Sequence, residues 1–273
     1  METVVKEETL ERRLRLALEQ NQFRLHYQPQ VERCGGRIVA AEALLRWQDP
    51  QGGLRAPGYF LGALESTGLI VPVGEWVLEQ ATEDCQRWQR LGFPRLQIGI
   101  NVSTLQLKKR GRDAGAFGTS ALRSLCDVQL EIAANEMSAA PESILRTLHA
   151  LRYEGVNVAV QEFGSNEIVG ERLWALPVDV VKIGRSLIQR LTLDAKAELE
   201  VFSIITQARA YRLGVVAEGV ETREQLERLA GLHCPRTQGF VHSAPVSAPA
   251  FEAMMMGFST VGVVRPLARP AFN

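Results

Sequence analysis

The residues best suited to chemistry are polar side chains that interrupt or close short apolar runs. Carboxylate and amide oxygens are the ligands that hard divalent cations such as Mg²⁺ and Mn²⁺ prefer, and two such ions together clamp a phosphodiester and activate a water. A lysine among them suits contact with that water or with a phosphate. Seven runs each carry such a polar group: Glu42, Asn101, Glu131, Gln161 with Glu162, Lys182, Glu218 and Gln238.

The runs themselves have the character of β-strands and alternate with longer helical patterns, which is typical of a parallel sheet with crossover helices. Residues 23–31 and 37–47 flank a turn-rich stretch and predict a hairpin, so one strand is antiparallel to its neighbour. Further strands are predicted at 96–101, 128–132, 157–163, 180–183, 214–220 and 237–242, and helices at 8–20, 58–66, 74–91, 119–125, 141–153, 172–176, 194–212 and 223–232.

Eight such strands predict an α/β fold, a TIM-like (β/α)8 barrel with one antiparallel strand. In a barrel of this type the chemistry lies where the strands end, so the seven polar groups would share one mouth. A single buried carboxylate is explained equally well by an ion pair with a basic neighbour. Seven polar groups at equivalent strand ends favour a functional site instead.

Composition excludes several classes of protein. The 273 residues carry 31 basic and 31 acidic side chains, and this balance argues against binding nucleic acid through a basic face. The four cysteines are scattered and form no Cys-x-x-Cys pair, which argues against a zinc ribbon or a disulfide framework and fits a reducing cytoplasm. Since the sequence has no run of about 18 apolar residues and no signal peptide, we expect no direct membrane span.

The motifs that carry these residues resemble those of a known family. Residues 41–47 read Ala-Glu-Ala-Leu-Leu-Arg-Trp, and in this feature the chain resembles the EAL domain family, which hydrolyses the bacterial second messenger cyclic di-GMP to linear pGpG. The resemblance extends over residues 23–245. It includes Tyr27-Gln28-Pro29, Asn101-Val102-Ser103, Leu130-Glu131-Ile132, Lys182-Ile183, Ala217-Glu218-Gly219-Val220-Glu221 and Gln238-Gly239-Phe240.

The resemblance implies a role for each matching position. The metal ligands, for Mg²⁺ or Mn²⁺, would be Glu42, Asn101, Glu131 and Glu162. Lys182 would face the attacking water, with Glu218 as a further acid of the catalytic cluster. Contacts to cyclic di-GMP would come from Gln28, Glu42, Leu44, Arg46 and Gln238, with Arg46 able to form a forked pair of hydrogen bonds to a phosphate.

The resemblance also implies an organisation and partners. Residues 1–22 would form a lead-in helix or linker, residues 23–258 the EAL domain and residues 259–273 a C-terminal tail. We expect a cytoplasmic homodimer that works with upstream signalling domains or a protein partner.

The sequence departs from the family pattern in one region. The family has two aspartates followed by Phe-Gly-Thr-Gly, whereas this chain reads Gln161-Glu162-Phe163-Gly164-Ser165-Asn166. Gln161 therefore represents a lost metal ligand, because an amide oxygen adds no negative charge, and Glu162 is longer by one methylene. Two further family residues are missing: Ala134 replaces a glutamate that supports the same loop, and Gly184 replaces the aspartate after Lys-Ile.

Three functions are compatible with this pattern. The first is a degenerate EAL domain that binds cyclic di-GMP as a receptor or regulatory domain and has lost most or all hydrolysis. The second is an active phosphodiesterase that uses Mg²⁺ or Mn²⁺ despite the substitutions. The third is a protein-interaction module that binds no nucleotide.

Overall fold

The computed structural model of the chain describes residues 2–110, 118–164 and 176–260. Its strands in chain order are β1 (Phe23–Glu32), β2 (Ile38–Asp49), β3 (Gly53–Arg55), β4 (Gln97–Asn101), β5 (Asp127–Ala133), β6 (Asn157–Phe163), β7 (Val180–Ile183), β8 (Gly214–Ala217), β9 (Arg236–Gln238) and β10 (Val246–Ser247).

Eight of these strands close into a barrel. β2 and β4 to β9 pair in parallel around the sheet, and β1 closes the ring by antiparallel pairing with both β2 and β9. β3 and β10 extend the ends of β2 and β1. The prediction of a (β/α)8 barrel with one antiparallel strand is confirmed.

The last barrel strand is shorter than predicted. It ends at Gln238 because the chain turns at Gly239 to meet the segment that follows β8: Val220 donates to Gln238 O at 3.1 Å and Val241 donates to Val220 O at 3.0 Å. A Cβ atom at residue 239 would lie 2.1 Å from Val220 O. The family motif Gln-Gly-Phe therefore ends a strand and does not continue one.

Helices cover the outside of the barrel. They are α1 (Glu2–Glu19), α2 (Leu61–Thr67), α3 (Ile70–Arg90), α4 (Thr104–Arg110), α5 (Ser120–Leu125), α6 (Ala134–Ser138), α7 (Glu142–Tyr153), α8 (Arg185–Arg190), α9 (Ala195–Ala210), α10 (Arg223–Gly231) and α11 (Ala248–Thr260). The predicted helices correspond to these elements within about four residues, except that α1 begins at Glu2, six residues before its predicted start, and that 172–176 lies outside the described residues. From residue 261 onward the predicted tail also lies outside them. Helices α4, α6, α8 and α11 were not predicted, since three of them are only five to seven residues long.

The two faces of each barrel strand have different environments. Side chains such as Tyr27, Ile98 and Val158 are fully buried in one apolar cluster with the surrounding helices. Residues that alternate with them, such as Gln28 and Glu131, carry polar groups that are also buried. Because successive side chains of a strand point to opposite faces, the period-two pattern separates the apolar shell from the polar interior of the mouth.

The first helix, α1, packs on a second apolar cluster at the end of the barrel where β2 ends. Leu14 and Ala17 are fully buried there with Phe23, Trp47 and Phe60. The Arg13 guanidinium lies 4.9 Å from the centre of the Trp47 ring and 2.5 Å from the buried Asp49 carboxylate. Among the helices of the described ranges, none combines the length and the apolar character that a membrane crossing needs.

We predict that Leu14→Ala lowers the free energy of unfolding by about 2–5 kcal/mol, because it opens a cavity at a fully buried position. The control is Leu16→Ala on the same helix, where the side chain is 39% exposed and we expect a change within about 0.5 kcal/mol. Urea unfolding of the unmodified protein and of the two variants measures both changes in the free energy of unfolding. Equal stability of the two variants would contradict the docking of α1.

Candidate functional site

The centre of the barrel mouth is a buried lysine. The side chain of Lys182 is fully buried, and its Nζ atom lies 3.1 Å from Glu42 Oε2 and 2.8 Å from Glu218 Oε1. It also forms a short ion pair with Glu131, which is fully buried as well. Four strands therefore contribute to one cluster, because β2, β5, β7 and the residue after β8 deliver these side chains to the same end of the barrel.

The charged groups of this cluster shift one another's pKa values. Burial raises the pKa of Glu131 to about 7, with Glu42 and Glu218 adding to the rise and Lys182 opposing it. Burial likewise raises the pKa of Glu218. For Glu42 the effect of burial is outweighed by Lys182 and by hydrogen bonds from Asn101 and Gln238, so its pKa is lowered. Burial acts to lower the pKa of Lys182, but the three carboxylates raise it well above its usual value.

The carboxylates also form an oxygen cluster that suits one divalent cation. Oxygen atoms of Glu42, Glu131 and Glu218 all lie within 4.8 Å of one another, which in the described part of the chain is a group able to hold a metal. Three carboxylates and one ammonium leave a formal charge of −2 when all are ionised. One Mg²⁺ or Mn²⁺ balances that charge, whereas a second needs further anionic ligands.

An amide network extends the cluster across the barrel. Gln238 Nε2 donates to Glu42 Oε2 at 2.6 Å and to Gln28 Oε1 at 3.1 Å, and Gln28 Nε2 donates to Ser243 O at 3.1 Å. These side chains are all buried to at least nine-tenths. The network links β1, β2 and β9, which are the strands that close the ring, so its geometry depends on barrel closure.

Leu44 and Arg46 continue the inner face of β2 beyond Glu42. Both follow Glu42 at intervals of two residues, so their side chains share its face, and both are half-buried. Burial lowers the pKa of Arg46, with the opposing charge of Glu42 acting against it. The arginine therefore forms a partly desolvated cationic position next to the acidic cluster.

A cavity of about 390 Å³ opens beside the cluster. Its polar lining includes Glu42, Asn101, Gln161 and Glu162, and its apolar wall comes from α2 and α3 through Leu61, Ile70 and Val73. A cavity of this size with a few convergent polar groups is typical of a site for a small molecule.

Several polar residues of the site were not predicted from the sequence. Gln129 Nε2 donates to Glu131 Oε1 at 2.8 Å, and Glu65, Gln106 and Glu136 line the cavity. The sequence could have indicated Gln129, because it lies two residues before Glu131 and so shares its face of β5. The others lie on helices α2, α4 and α6, and strand-end reasoning does not reach them.

Comparison of the chain with known proteins identifies its family. The family model for the EAL domain matches residues 11–245. The chain belongs to the EAL domain family.

The relatives of this EAL domain are longer proteins, of which the alignments cover only a part. It is 38% identical over 237 residues to the bifunctional diguanylate cyclase/cyclic di-GMP phosphodiesterase MucR of Pseudomonas aeruginosa, an alignment that covers 86% of this chain and 35% of that protein. It is 31% identical to the cyclic di-GMP phosphodiesterase NbdA of the same organism, over 91% of this chain and 32% of that protein. The chain thus spans about a third of the length of these curated relatives.

A solved structure shows the same fold. The cyclic di-GMP complex of the PaMucR phosphodiesterase superposes with a TM-score of 0.81 at 37% sequence identity, covering 89% of this chain and 99% of that one.

Gln161, which the resemblance matches to the first of two aspartates, is a neutral amide that bonds to Asn101. Asn101 Nδ2 donates to Glu42 Oε1 at 2.7 Å, and Gln161 Nε2 donates to Asn101 Oδ1 at 2.8 Å. Because the Glu42 carboxylate only accepts, Asn101 turns its oxygen toward Gln161, and Gln161 must then present its NH₂ group. The amide oxygen of Asn101, a candidate metal ligand, therefore accepts a protein hydrogen bond.

Glu162, which the resemblance matches to the second aspartate, has an unusual backbone geometry. Glu162 has a φ of 59°, in the left-handed region, and the pairing of β6 with β7 shifts register between Val160 and Phe163. Its backbone donates to the Glu218 carboxylate, while its side chain is exposed along the cavity. Within the described residues, Glu162 is not a member of the oxygen cluster formed by the other three glutamates.

The remaining departures lie against the same segment. A Cβ atom on Gly184 would lie 3.1 Å from Glu162 Cα, so the glycine lets the β6 backbone approach closely. Ala134, where the resemblance implies a glutamate, begins α6 and is buried. Asn166 lies outside the described residues. Substitutions at 162 and 184 are thus in direct contact, although 22 positions separate them in the sequence.

We predict that Lys182→Met lowers the free energy of unfolding by about 3–5 kcal/mol, because it leaves three carboxylates together in a buried cluster without a counter-charge. Adding Glu131→Gln should restore part of that stability. Lys196→Met, at an exposed position on α9, is the control and should change little. Denaturant unfolding in EDTA measures all three, and an unaffected Lys182→Met variant would refute the prediction.

Proposed function

We propose that this chain acts in cyclic di-GMP signalling as a receptor or regulatory EAL domain that binds the nucleotide and hydrolyses it slowly or not at all. The observation that carries the proposal is the neutral Gln161 amide bonded to Asn101 Oδ1, beside the buried cluster of Glu42, Glu131 and Glu218. The family membership and the nucleotide named for its relatives support the choice of ligand.

Binding and hydrolysis place different demands on the mouth. Hydrolysis by two cations needs enough anionic oxygens to hold both, and the charge of the cluster balances one. Glu42, Asn101, Glu131 and Glu218 are the residues that would hold that ion, which when bound polarises a phosphate oxygen or a water. Nucleotide contacts need no second metal, because Arg46 offers a guanidinium for a phosphate and Gln28 and Gln238 offer amides.

The loss in rate can be estimated from general magnitudes. If a second metal stabilises the transition state by about 4 kcal/mol, its absence slows hydrolysis roughly a thousandfold. The affinity for the nucleotide does not fall with the rate of hydrolysis, because groups that contact the phosphate and the base stabilise the ground state and the transition state equally. We therefore propose that turnover has fallen much further than binding.

The active enzyme is the second candidate, and a specific observation favours it. Lys182 contacts three acids that all match family motifs, and this arrangement supports a role for the lysine beside an attacking water. In that case Glu162, which lines the cavity, would supply the missing anionic ligand after a change of side-chain conformation. An interaction module without nucleotide is the third outcome that an experiment must distinguish.

We also propose the wider arrangement of the molecule. Residues 1–22, which include α1, would connect the EAL domain of residues 23–258 to upstream signalling domains, in keeping with relatives about three times as long. The protein would act in the cytoplasm, where its four free cysteines stay reduced. Leu199 and Phe202 lie one turn apart on α9 and are 68% and 52% exposed, and we propose that this face pairs two copies.

We predict that cyclic di-GMP dialysed against the protein with excess Mn²⁺ accumulates intact on the protein side. The nucleotide on both sides is then identified by chromatography. Rapid appearance of pGpG in proportion to protein would instead establish the active enzyme, and equal nucleotide concentrations on the two sides would leave the interaction module.

We predict that Gln161→Asp with Glu162→Asp raises the rate of pGpG formation at least tenfold and up to about a thousandfold, because it adds an anionic ligand and shortens the second. Gln161→Asn with Glu162→Asp is the matched control, since it changes the length of residue 161 without adding charge. If both double variants hydrolyse equally, charge at position 161 is not what limits the reaction.

We predict that Leu199→Glu with Phe202→Glu converts a dimer into a monomer in sedimentation velocity. Tyr153→Glu is the control, because Tyr153 is 95% exposed but lies on α7. A wild-type protein that sediments as a monomer at every concentration would overturn the proposed pairing.

A further inference from the structure

Two arginines lie directly opposite each other at the rim of the mouth. Arg24 on β1 pairs with Arg46 on β2 in the antiparallel register, and such a pair has its Cβ atoms about 5 Å apart on one face. This is the inner face of the barrel, because it is shared with the pair formed by Gln28 and Glu42. The rim therefore carries two positive charges side by side, on the open side of the acidic cluster.

Within the described residues, no carboxylate forms an ion pair with either arginine. Arg24 Nη1 donates to the carbonyl oxygens of Asn21 and Phe23, both at 2.6 Å, and Arg46 Nη1 donates to Leu45 O at 2.8 Å. The other N–H groups of the two guanidiniums remain available as donors. Like charges directly opposite each other destabilise a sheet, so an anion bound between the two guanidiniums would remove a repulsion.

The histidine beside the pair adds no charge to it. His26 lies between Arg24 and Gln28 on the same face of β1, and its Nδ1 atom lies 3.3 Å from Pro245 O. Burial lowers the pKa of His26, and the charge of Arg46 lowers it further against the opposing effect of the Pro245 carbonyl. Because the ring is then neutral near pH 7, the positive charge of this rim comes from the two arginines.

The turn after α1 sets the position of Arg24. Asn21, whose carbonyl accepts from Arg24, has a φ of 52° and lies just beyond the end of the helix. The next residue, Gln22, is fixed to β2, because its carbonyl accepts from Gln48 N at 2.8 Å and its side chain accepts from Trp47 Nε1 at 3.2 Å. A guanidinium held in this way loses less conformational entropy when it binds an anion.

The spacing along β2 suits a ligand that carries two anionic groups. Arg46 follows Glu42 by four residues, which corresponds to about 13 Å between their Cα atoms. The long side chains of both residues reach into this interval. A cation held by the acidic cluster would bind one phosphate, and the arginine pair would bind the other at the rim.

We propose that Arg24 joins Arg46 in an anion site at the rim, and that this site binds the second phosphate of the cyclic dinucleotide. The identity of the nucleotide rests on the proposed function, whereas the role of Arg24 rests on its register and its contacts. A guanidinium presents its donors in a fork that matches a phosphate, so two guanidiniums on one face can hold a phosphate from two directions.

A purely structural role for Arg24 has different consequences. Its hydrogen bond to Asn21 O satisfies a carbonyl at the end of α1, and a cation there is also favourable for the helix dipole. If that were its whole function, loss of the guanidinium would destabilise the turn, and any change in nucleotide affinity would not depend on salt. A contact between exposed charges, in contrast, weakens as salt is added.

The first test compares Arg24→Gln with Arg12→Gln in the full chain. Arg12 is exposed on α1, so its variant removes the same charge at a distance from the rim. Calorimetric titration with cyclic di-GMP and excess Mn²⁺ measures the Kd, and chromatography verifies that the nucleotide stays intact. We expect Arg24→Gln to raise the Kd about tenfold, because it removes hydrogen bonds from a charged group to a phosphate, and Arg12→Gln to leave it nearly unchanged.

Salt separates the ligand contact from the structural role. The ratio of the two Kd values, for Arg24→Gln and for the unmodified protein, should fall as KCl is raised from about 0.05 M to about 0.5 M, because salt screens exposed charges. The ligand-free Tm of Arg24→Gln verifies that the variant is folded at the temperature of the titration. Equal Kd values for Arg24→Gln and Arg12→Gln, or a ratio that does not change with salt, would overturn the proposal.

A second test examines the rim without nucleotide. Inorganic phosphate in EDTA is the probe, with chloride at equal ionic strength as the reference. Phosphate stabilises proteins in general, so the readout is the difference between variants. We expect it to raise the Tm of the unmodified protein and of Arg12→Gln by about 1 °C more than that of Arg24→Gln or Arg46→Gln.

The two tests distinguish failure of the anion site from failure of the proposed function. If phosphate raises the Tm of all four proteins equally, the anion site is overturned. If the unmodified protein binds no cyclic di-GMP while the phosphate effect still depends on Arg24, the proposed function is overturned and the anion site is retained.

Discussion

A lysine ammonium enclosed by three carboxylates is the interaction on which the mouth of this barrel depends. Lys182 has no exposed surface, and its three partners come from separate strands. A buried charge is tolerated only when it is paired and hydrogen-bonded. Each strand must therefore keep its position for the lysine and the carboxylates to remain ionised. The amide network of Gln28 and Gln238 continues the same constraint around the ring to Glu42.

The three positions at the edge of this cluster that differ from the sequence pattern of the resemblance lie close together. Gln161 donates a neutral hydrogen bond to the oxygen of Asn101, at a position where the resemblance implies an aspartate. Glu162 contributes its backbone to Glu218 and leaves its side chain exposed along the cavity. Gly184 accommodates the backbone that makes this possible. The three positions therefore form one local rearrangement, and none of them touches the buried network of Gln28 and Gln238 in the contacts described above.

Helix α3 links the parts of the molecule that the sequence presents separately. Its first residues pack with Leu14 and Trp47 in the cluster beneath α1 and line the ligand cavity as well. Its later residues carry Asp84, which accepts a hydrogen bond from Tyr27 at 2.7 Å and another from Arg87 at 2.9 Å.

The sequence by itself determined the barrel, its reversed first strand and the polar character of its mouth. Alternation of short apolar runs with helical periods identifies the strands, and the rule that parallel strands end at one edge places Glu42, Lys182 and Glu218 together. It also identified Gln161 as a departure, since the motif around it is local.

Only the tertiary structure decided which groups pair. Gln161 meets Asn101 across 60 residues, and Gln238 meets Glu42 across 196. The left-handed backbone of Glu162 and its contact with Gly184 likewise depend on how distant segments approach one another. Periodicity specifies the face on which a side chain lies, but strand register and helix packing fix its partner to within a hydrogen-bond length, and those are properties of the closed barrel.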